Sequence, residues 1–195
     1  MGTIMTLPEP DRSGSMALEQ VMAARRSLRD FAPEALTVEQ IGQLLWAAQG
    51  QAHRSGYRTA PSAGATYPLE LFVVTGDGFF HYSPADHSLE KLADKDFRAA
   101  LASAAWGQQF VQAAPLTLVF AAQFARTTGR YGNRGVRYVY MEAGHAAQNV
   151  HLQAEALGLG SVAVGAFDDA SVSRVLSLPE HLEPLYMVAA GYPRS

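Results

Sequence analysis

The 195-residue chain contains no cysteine. That absence removes disulfides, thiolate nucleophiles and Cys-ligated metal or iron–sulfur centres, and it leaves the redox compartment open. Any redox chemistry therefore calls for a bound cofactor. Lysine is scarce as well, two residues against thirteen arginines, and the formal net charge is −3. This balance excludes a broad attraction to nucleic acid or to an anionic membrane, so a basic cluster has to be a local site. No run approaches the ~18 apolar residues of a membrane span, and the opening MGTIMTLPEPDRSG lacks the apolar centre of a signal peptide. The expectation is a soluble, cytoplasmic protein. Neither G-x-G-x-x-G between a strand and a helix nor G-x-x-x-x-G-K-[ST] occurs, which closes the Rossmann and P-loop routes to nucleotide binding. Ser62 is not a hydrolase nucleophile, because Ala60 stands where G-x-S-x-G requires glycine. H-E-x-x-H is missing too, and His145 and His151, six positions apart, fall on different faces of a helix and read as ordinary partly buried histidines rather than zinc ligands.

What is present suits one globular domain with a sizeable core, at 48% hydrophobic and 17% charged residues. Residues 1–15, with Pro8, Pro10 and Gly14, read as an extended arm, and residues 16–195 as a single domain. Ser15 is a candidate N-cap for a first helix ending near Ser27. Thr37-Val38-Glu39-Gln40 is a capping-box pattern, and Ile41, Leu44, Leu45 and Ala48 repeat at helical spacing until Gly50. Leu69 to Thr75 and Phe79 to Tyr82 form a hairpin signal around Gly76-Asp77-Gly78. Asp94 to Ala105 has helical composition, PLTLVFAA from Pro115 is a buried strand, and Arg126 to Arg134 is a polar loop. A long helix should run from about Gly135 to Leu157, with Val136, Tyr140, Ala143, Ala147, Val150, Ala154 and Leu157 on one face. Two further strands, Ser161 to Ala166 and Leu185 to Ala190, flank a short helix capped by Asp168 or Asp169.

Two stretches carry chemistry. RRSLRDF places Arg25, Arg26, Ser27 and Arg29 within five positions, and forked guanidiniums beside a hydroxyl are strong anchors for a phosphate or a polarised carbonyl. A solvated basic helix end, offsetting the macrodipole, would show the same residues. PSAGATYP, from Pro61 to Pro68, sets small residues between prolines, which lets backbone approach a flat ligand closely. An ordinary turn would read alike. The long helix carries Ala143, Gly144, Ala146, Ala147 and Ala154, a pattern equally suited to a helix pair across a dimer and to a tight core helix within one chain.

Taken in order, RRSLRDF, TVEQIGQLLWAAQG, RTAPSAGATYPLELFVV, GQQFVQAAPLTLVF, GNRGVRYVYMEAGHAAQNVHLQAEALGLGSVAVGAF and the final GYP resemble the nitroreductase-like flavoproteins. Within them the likeness is to the SagB-type dehydrogenase group, which oxidises azoline rings in peptides. The resemblance implies an α+β fold, a mostly antiparallel sheet flanked by helices, in an intertwined homodimer that binds FMN at the subunit interface. It implies that Arg25, Arg26, Ser27 and Arg29 grip the phosphate, ribityl chain and pyrimidine edge, and that Pro61, Ser62, Ala63 and Gly64 meet the flavin from the partner subunit. Gln108 would face the pyrimidine ring, Val164, Gly165 and Ala166 would lie beside the flavin near N5, and Arg194 would assist the phosphate. NADH or NADPH is the implied electron donor and a small flat molecule such as a nitroaromatic or quinone the acceptor, with azoline oxidation or non-catalytic flavin binding as the alternatives. Two departures stand out. Azoline-oxidising relatives commonly show a Lys-Tyr pair where this chain has Arg130-Tyr131, which leaves Tyr131 as a candidate proton donor. The basic residues that follow GYP in many relatives reduce here to Arg194, which shifts the expected burden of phosphate binding onto Arg25 and Arg26.

Overall fold

The computed structural model describes residues 2–52 and 56–194. Its centre is a seven-stranded sheet of β1 (Ile4–Thr6), β2 (Leu69–Thr75), β3 (Gly78–Ser83), β4 (Ser88–Ala93), β5 (Leu116–Ala122), β6 (Gly160–Val164) and β7 (Glu183–Gly191), in the spatial order β1-β4-β3-β2-β5-β7-β6. Every neighbouring pair is antiparallel. The register follows from side-chain alternation. Val73, Leu118 and Val188 stand side by side on one face, and Phe72, Val119 and Met187 on the other. All seven residues of β5 are buried, because helices cover both faces of the sheet there.

On one face lie α2 (Val38–Gln49) and the long α6 (Arg134–Ala156), enclosing Leu44, Leu45, Leu71, Leu118, Phe120, Ala143, Ala147 and Val150. The other face is covered by α3 (Arg98–Ala104) and α7 (Asp169–Leu176), over Phe72, Val119, Leu101, Val172 and Met187. Three short helices complete the set: α1 (Leu18–Ala24), α4 (Gln109–Ala113) and α5 (Ala125–Tyr131). The capping box is formed as read, with Gln40 N–H donating to Thr37 Oγ1 at 3.3 Å and Thr37 N–H to Gln40 Oε1 at 3.0 Å. Asp168 caps α7, accepting from Ser171 N–H at 2.8 Å.

Several boundaries differ from the sequence reading. Helix α1 begins after Ala17 rather than at Ser15, and it ends at Ala24. Arg25 is already extended (φ −53°, ψ 125°), and Ser27 makes a parallel bridge to Ser161. Arg25 is the C-cap of α1, its N–H bonded to Val21 O, while Arg26, Ser27 and Arg29 lie beyond the helix on the extended segment. The segment Arg126 to Arg134, read as a loop, is largely α5. Gly135 explains the turn that follows it. A Cβ there would lie 2.9 Å from Thr128 Cα, so α5 and α6 cross closely at this residue. That crossing turns Gly135 inward and Val136 outward, and Val136 and Tyr140 are exposed rather than on the buried face. Ala143, Ala146, Ala147 and Ala154 are all buried inside the protomer, which favours the core-helix reading of those small residues.

Candidate functional site

The predicted site residues fall into two groups. In the first, the strand-like segment after α1 runs beside β6, with Leu28 N–H donating to Ser161 O at 3.0 Å. Gly160 makes this approach possible, since a Cβ there would overlap the Leu28 side chain. Arg25, Arg26 and Arg29 form no ion pair among the described residues. Arg29 instead lies over the Phe110 ring, 5.7 Å from its centroid. Three cations without an acidic partner, next to the Ser27 hydroxyl, are a donor set that suits a dianionic phosphate. Arg194 is committed differently. It pairs with Asp30 at 2.9 Å and donates to Phe31 O at 2.9 Å, so it braces the chain just beyond Arg29.

Gln108 extends this group. Its Nε2 donates to Ala105 O at 2.9 Å and to Ala166 O at 2.8 Å, which ties the loop after α3 to the Val164-Gly165-Ala166 segment and leaves the Oε1 as its acceptor. His151 stands beneath, its Nδ1 2.8 Å from Ser161 Oγ. Burial, with the nearby Arg25 charge adding to it, pulls the His151 imidazole down to about 4.

In the second group, Ser62 Oγ accepts from Tyr67 N–H at 2.9 Å, and a single 3₁₀ turn follows over Ala63–Ala65. Gly64 sits at φ +59°, and a Cβ there would come within 2.5 Å of the Tyr131 hydroxyl and 2.9 Å of Arg130 Nη1. Arg130 Nη1 donates to Gly64 O at 3.2 Å, Arg126 Nη1 to Tyr67 O at 3.0 Å, and the Thr66 and Thr127 hydroxyls pair at 2.8 Å. Helix α5 thus holds the stretch from Gly64 to Tyr67, and the Tyr131 hydroxyl lies against Gly64.

Behind this loop lies a buried polar cluster that the sequence reading passed over. Glu142 on α6 is 2% exposed, and burial pushes its carboxyl up to about 7, although neighbouring Ser62, Arg58 and Gln49 favour the charged form. Arg58 Nη1 donates to Gln49 Oε1 at 2.8 Å and stacks over Tyr67 at 4.5 Å. Gln49 Nε2 and Glu142 Oε1 have no hydrogen-bond partner among the described residues. One signal for the cluster was legible. Glu142 occupies a core register position, three residues after Val139 and four before Ala146.

Residues 22–192 match the model of the nitroreductase family. A protein of Methanocaldococcus jannaschii named for the same family is 43% identical, over 98% of both chains. A crystal structure of a protein assigned to the nitroreductases from Ralstonia eutropha superposes with a TM-score of 0.90 at 34% identity, covering 98% of this chain and 90% of that one. The Escherichia coli microcin synthetase McbBCD complex, solved with truncated pro-microcin bound, contains a chain with a TM-score of 0.77 at 25% identity, covering 98% of this chain and 79% of that one. The chain spans 62% of the length of the FMN reductases of Bacillus subtilis that it matches, and 49% of the microcin B17-processing protein of E. coli. With the fold and these likenesses in agreement, the chain belongs to the nitroreductase family of FMN-using oxidoreductases.

Proposed function

We propose that the protein is an FMN-dependent reductase that moves a hydride between NAD(P)H and a small flat acceptor such as a nitroaromatic or quinone. The observation that carries this reading is the cluster of Arg25, Arg26 and Arg29, which has no acidic partner among the described residues and is laid by the Ser27–Ser161 bridge along β6. Bound there, FMN supplies hydride acceptance and donation at N5. The protein's part is binding, orientation and proton placement. Arg25, Arg26 and Ser27 hold the phosphate, and Arg29 with the free Oε1 of Gln108 orients the pyrimidine edge. Ala166 stays in place beside the flavin because Gln108 ties its carbonyl.

The second group completes the site from a partner copy. Glu142 and His151, which mark the two groups, are nine residues apart on α6. That spacing sets them on opposite sides of the helix and ~13 Å apart along it. Two protomers facing one another would bring Pro61–Gly64 of one to the arginines of the other. An exposed apolar stripe on α6, with Tyr140 and Met141 beside Gly144, suits such a contact.

The likeness to the microcin synthetase supports a second reading, azoline dehydrogenation on a peptide, with Tyr131 at Gly64 as the proton-transfer group. Against it stands Arg130 in the place of the Lys, its guanidinium donating to Gly64 O. Purified protein mixed anaerobically with NADPH or NADH, then with a nitrofuran or quinone, decides between them. Bleaching of the flavin and its return on addition of the acceptor are expected. Azoline oxidation without any NAD(P)H reductase activity would overturn the first reading in favour of the second.

A further inference from the structure

On the face of the sheet that α3 and α7 cover, side chains do not fill the space between the β2–β3–β4 side and the chain joining α7 to β7. A cavity of about 570 Å³ remains there, lined by Phe72, Phe79, Phe97, His81 and Glu70 on one side and by residues between Leu176 and Leu182 on the other. It shares no lining residue with either group of the candidate flavin site. Interiors are normally packed without voids larger than a water molecule, and this volume lies within the range of about 300–1,000 Å³ that small-molecule pockets occupy. The rings make one continuous surface. Phe72 and Phe79 stack at 5.4 Å, Phe97 meets Phe79 edge-on at 5.9 Å, and His81 lies 5.0 Å from Phe72. Phe72 and Phe79 are buried, whereas Leu92, which lines the same cavity, is 46% exposed and marks its mouth.

The polar corner of the cavity is fixed from behind. Glu70 accepts from Arg126 Nη2 at 2.6 Å and from His81 Nε2 at 2.8 Å, and Arg126 is itself bonded to Tyr67 O and Gln123 Oε1. Burial opposes the charge on Glu70, but the bonds from His81 and Arg126 outweigh it and hold the carboxyl below its usual range. A carboxylate only accepts, so His81 Nε2 carries the hydrogen, and Nδ1 of the neutral ring is left as an acceptor. That nitrogen has no partner among the described residues. On the opposite wall, Leu178 N–H donates to Ser173 O and Leu182 N–H to Pro179 O, both at 2.9 Å, which braces the turn after α7.

We propose that this cavity is a ligand site separate from the flavin site, taking a planar aromatic molecule that bears a hydroxyl group, of the phenol and naphthol class, with its ring against the phenylalanines and its hydroxyl donating to His81 Nδ1. Aromatic rings meet one another offset or edge-on, and the Phe72, Phe79 and Phe97 rings offer both kinds of contact. An aromatic molecule without a donor would leave the imidazole nitrogen unpaired in an apolar cavity, which forfeits affinity. Both walls are set before the ligand arrives, so little is lost on ordering them.

The test uses 6-bromo-2-naphthol and its methyl ether, which keeps the rings and lacks the donor, each titrated calorimetrically into the FMN-loaded protein without NAD(P)H at about pH 8, above the ordinary imidazole range. The naphthol should bind roughly three- to tenfold more tightly than the ether. His81→Leu leaves the Glu70–Arg126 pair in place and should abolish that difference, while FMN content matches the unmodified protein. Equal Kd values for the two probes in the unmodified protein, or a difference that survives His81→Leu, overturn the proposal. A measurement on the unmodified protein guards against a variant that fails to fold. In crystals soaked with 6-bromo-2-naphthol, the anomalous signal of bromine should mark the cavity beside Phe72 and Phe79. No signal there, or a signal confined to the arginine cluster or the Pro61–Gly64 loop, overturns the proposal. Neither readout uses the flavin, so the outcome is independent of the flavin reading above.

Discussion

At Gly64 the constraints of the candidate site meet in one residue. Its φ of +59° is left-handed, and the space a Cβ would need is taken by the Tyr131 hydroxyl and by Arg130. Gly64→Ala should therefore displace the Pro61–Gly64 loop and lower FMN affinity, measured by fluorescence titration of the apoprotein. Adding Tyr131→Phe should restore part of that affinity by removing the closer of the two clashes, while the crowding by Arg130 and the backbone strain of about 1–2 kcal/mol stay. If the double variant binds FMN no better than Gly64→Ala alone, the Gly64–Tyr131 contact does not matter to the site. The arginines make a second expectation at this scale. Charge-assisted contacts to a phosphate contribute roughly 1.5–3 kcal/mol each, so replacing Arg25 and Arg26 together by Ala should raise the FMN Kd at least ~100-fold. Undiminished affinity in that variant would remove the cluster from the phosphate site. Both candidate groups carry local signals in the sequence, arginines crowded around a serine and small residues between prolines. Arg58 carries no such local signal and Glu142 only its core register, for their meaning depends on a burial that the packing of α2, α6 and residues 56–68 creates.

Helix α6 carries two buried titratable groups whose effects on stability oppose one another. The Glu142 carboxyl, raised from 4.5 to about 7, binds its proton more tightly in the folded chain. Its contribution is undiminished below about pH 4.5, falls between 4.5 and 7, and is a full penalty above 7. The His151 imidazole, lowered from 6.5 to about 4, is the reverse case. Its neutral form is the one the fold accepts, so the stability it permits is present above pH 6.5 and is lost as pH falls toward 4. Each effect is on the order of 3 kcal/mol across its window, and between pH 4.5 and 6.5 the two slopes cancel. Single substitutions should uncover them. Relative to the unmodified protein, Glu142→Gln should gain stability steadily as pH rises from 4.5 to 7, and His151→Gln should lose its advantage as pH rises from 4 to 6.5. Urea unfolding at intervals from pH 4 to 8 measures both, and profiles parallel to that of the parent would contradict this account of α6. The boundaries of the helix were close to legible, since Gly158 and the apolar spacing mark them. The facing of its first turns was not. That depended on the close crossing at Gly135, a contact with α5, and α5 itself was hidden in a polar stretch read as a loop.

For the molecule as a whole, the antiparallel sheet between helical layers is what the resemblance implied, whereas the edge strand β1 and its neighbour β4 did not announce themselves. Ile4–Thr6 is too short for alternation to register, and it is a strand only because Ser88–Glu90 offers it an edge. The proposed second copy is likewise a property of surfaces rather than of spacing. The alanines of α6 that suggested a helix pair are spent inside the protomer, and Ala147→Leu should overpack the core, at a cost of about 1–3 kcal/mol, without selectively separating two chains. The face left outward carries Tyr140 at 55% and Met141 at 51% exposure, next to Gly144, where a Cβ would meet nothing within 4 Å. Helix α1, which packs against α6, adds the exposed Leu18 and Met22. Isolated exposed apolar residues are ordinary, but a stripe of them marks a contact surface. Met141→Glu combined with Gly144→Glu places charge on that surface and leaves the core untouched. If each flavin is held between two chains, the double variant should run as a monomer in light scattering and lose its yellow colour, while its circular dichroism and unfolding midpoint stay near those of the parent apoprotein. A variant that remains a flavin-loaded dimer would move the interface to another face, and a flavin-loaded monomer would show that one chain suffices for the site.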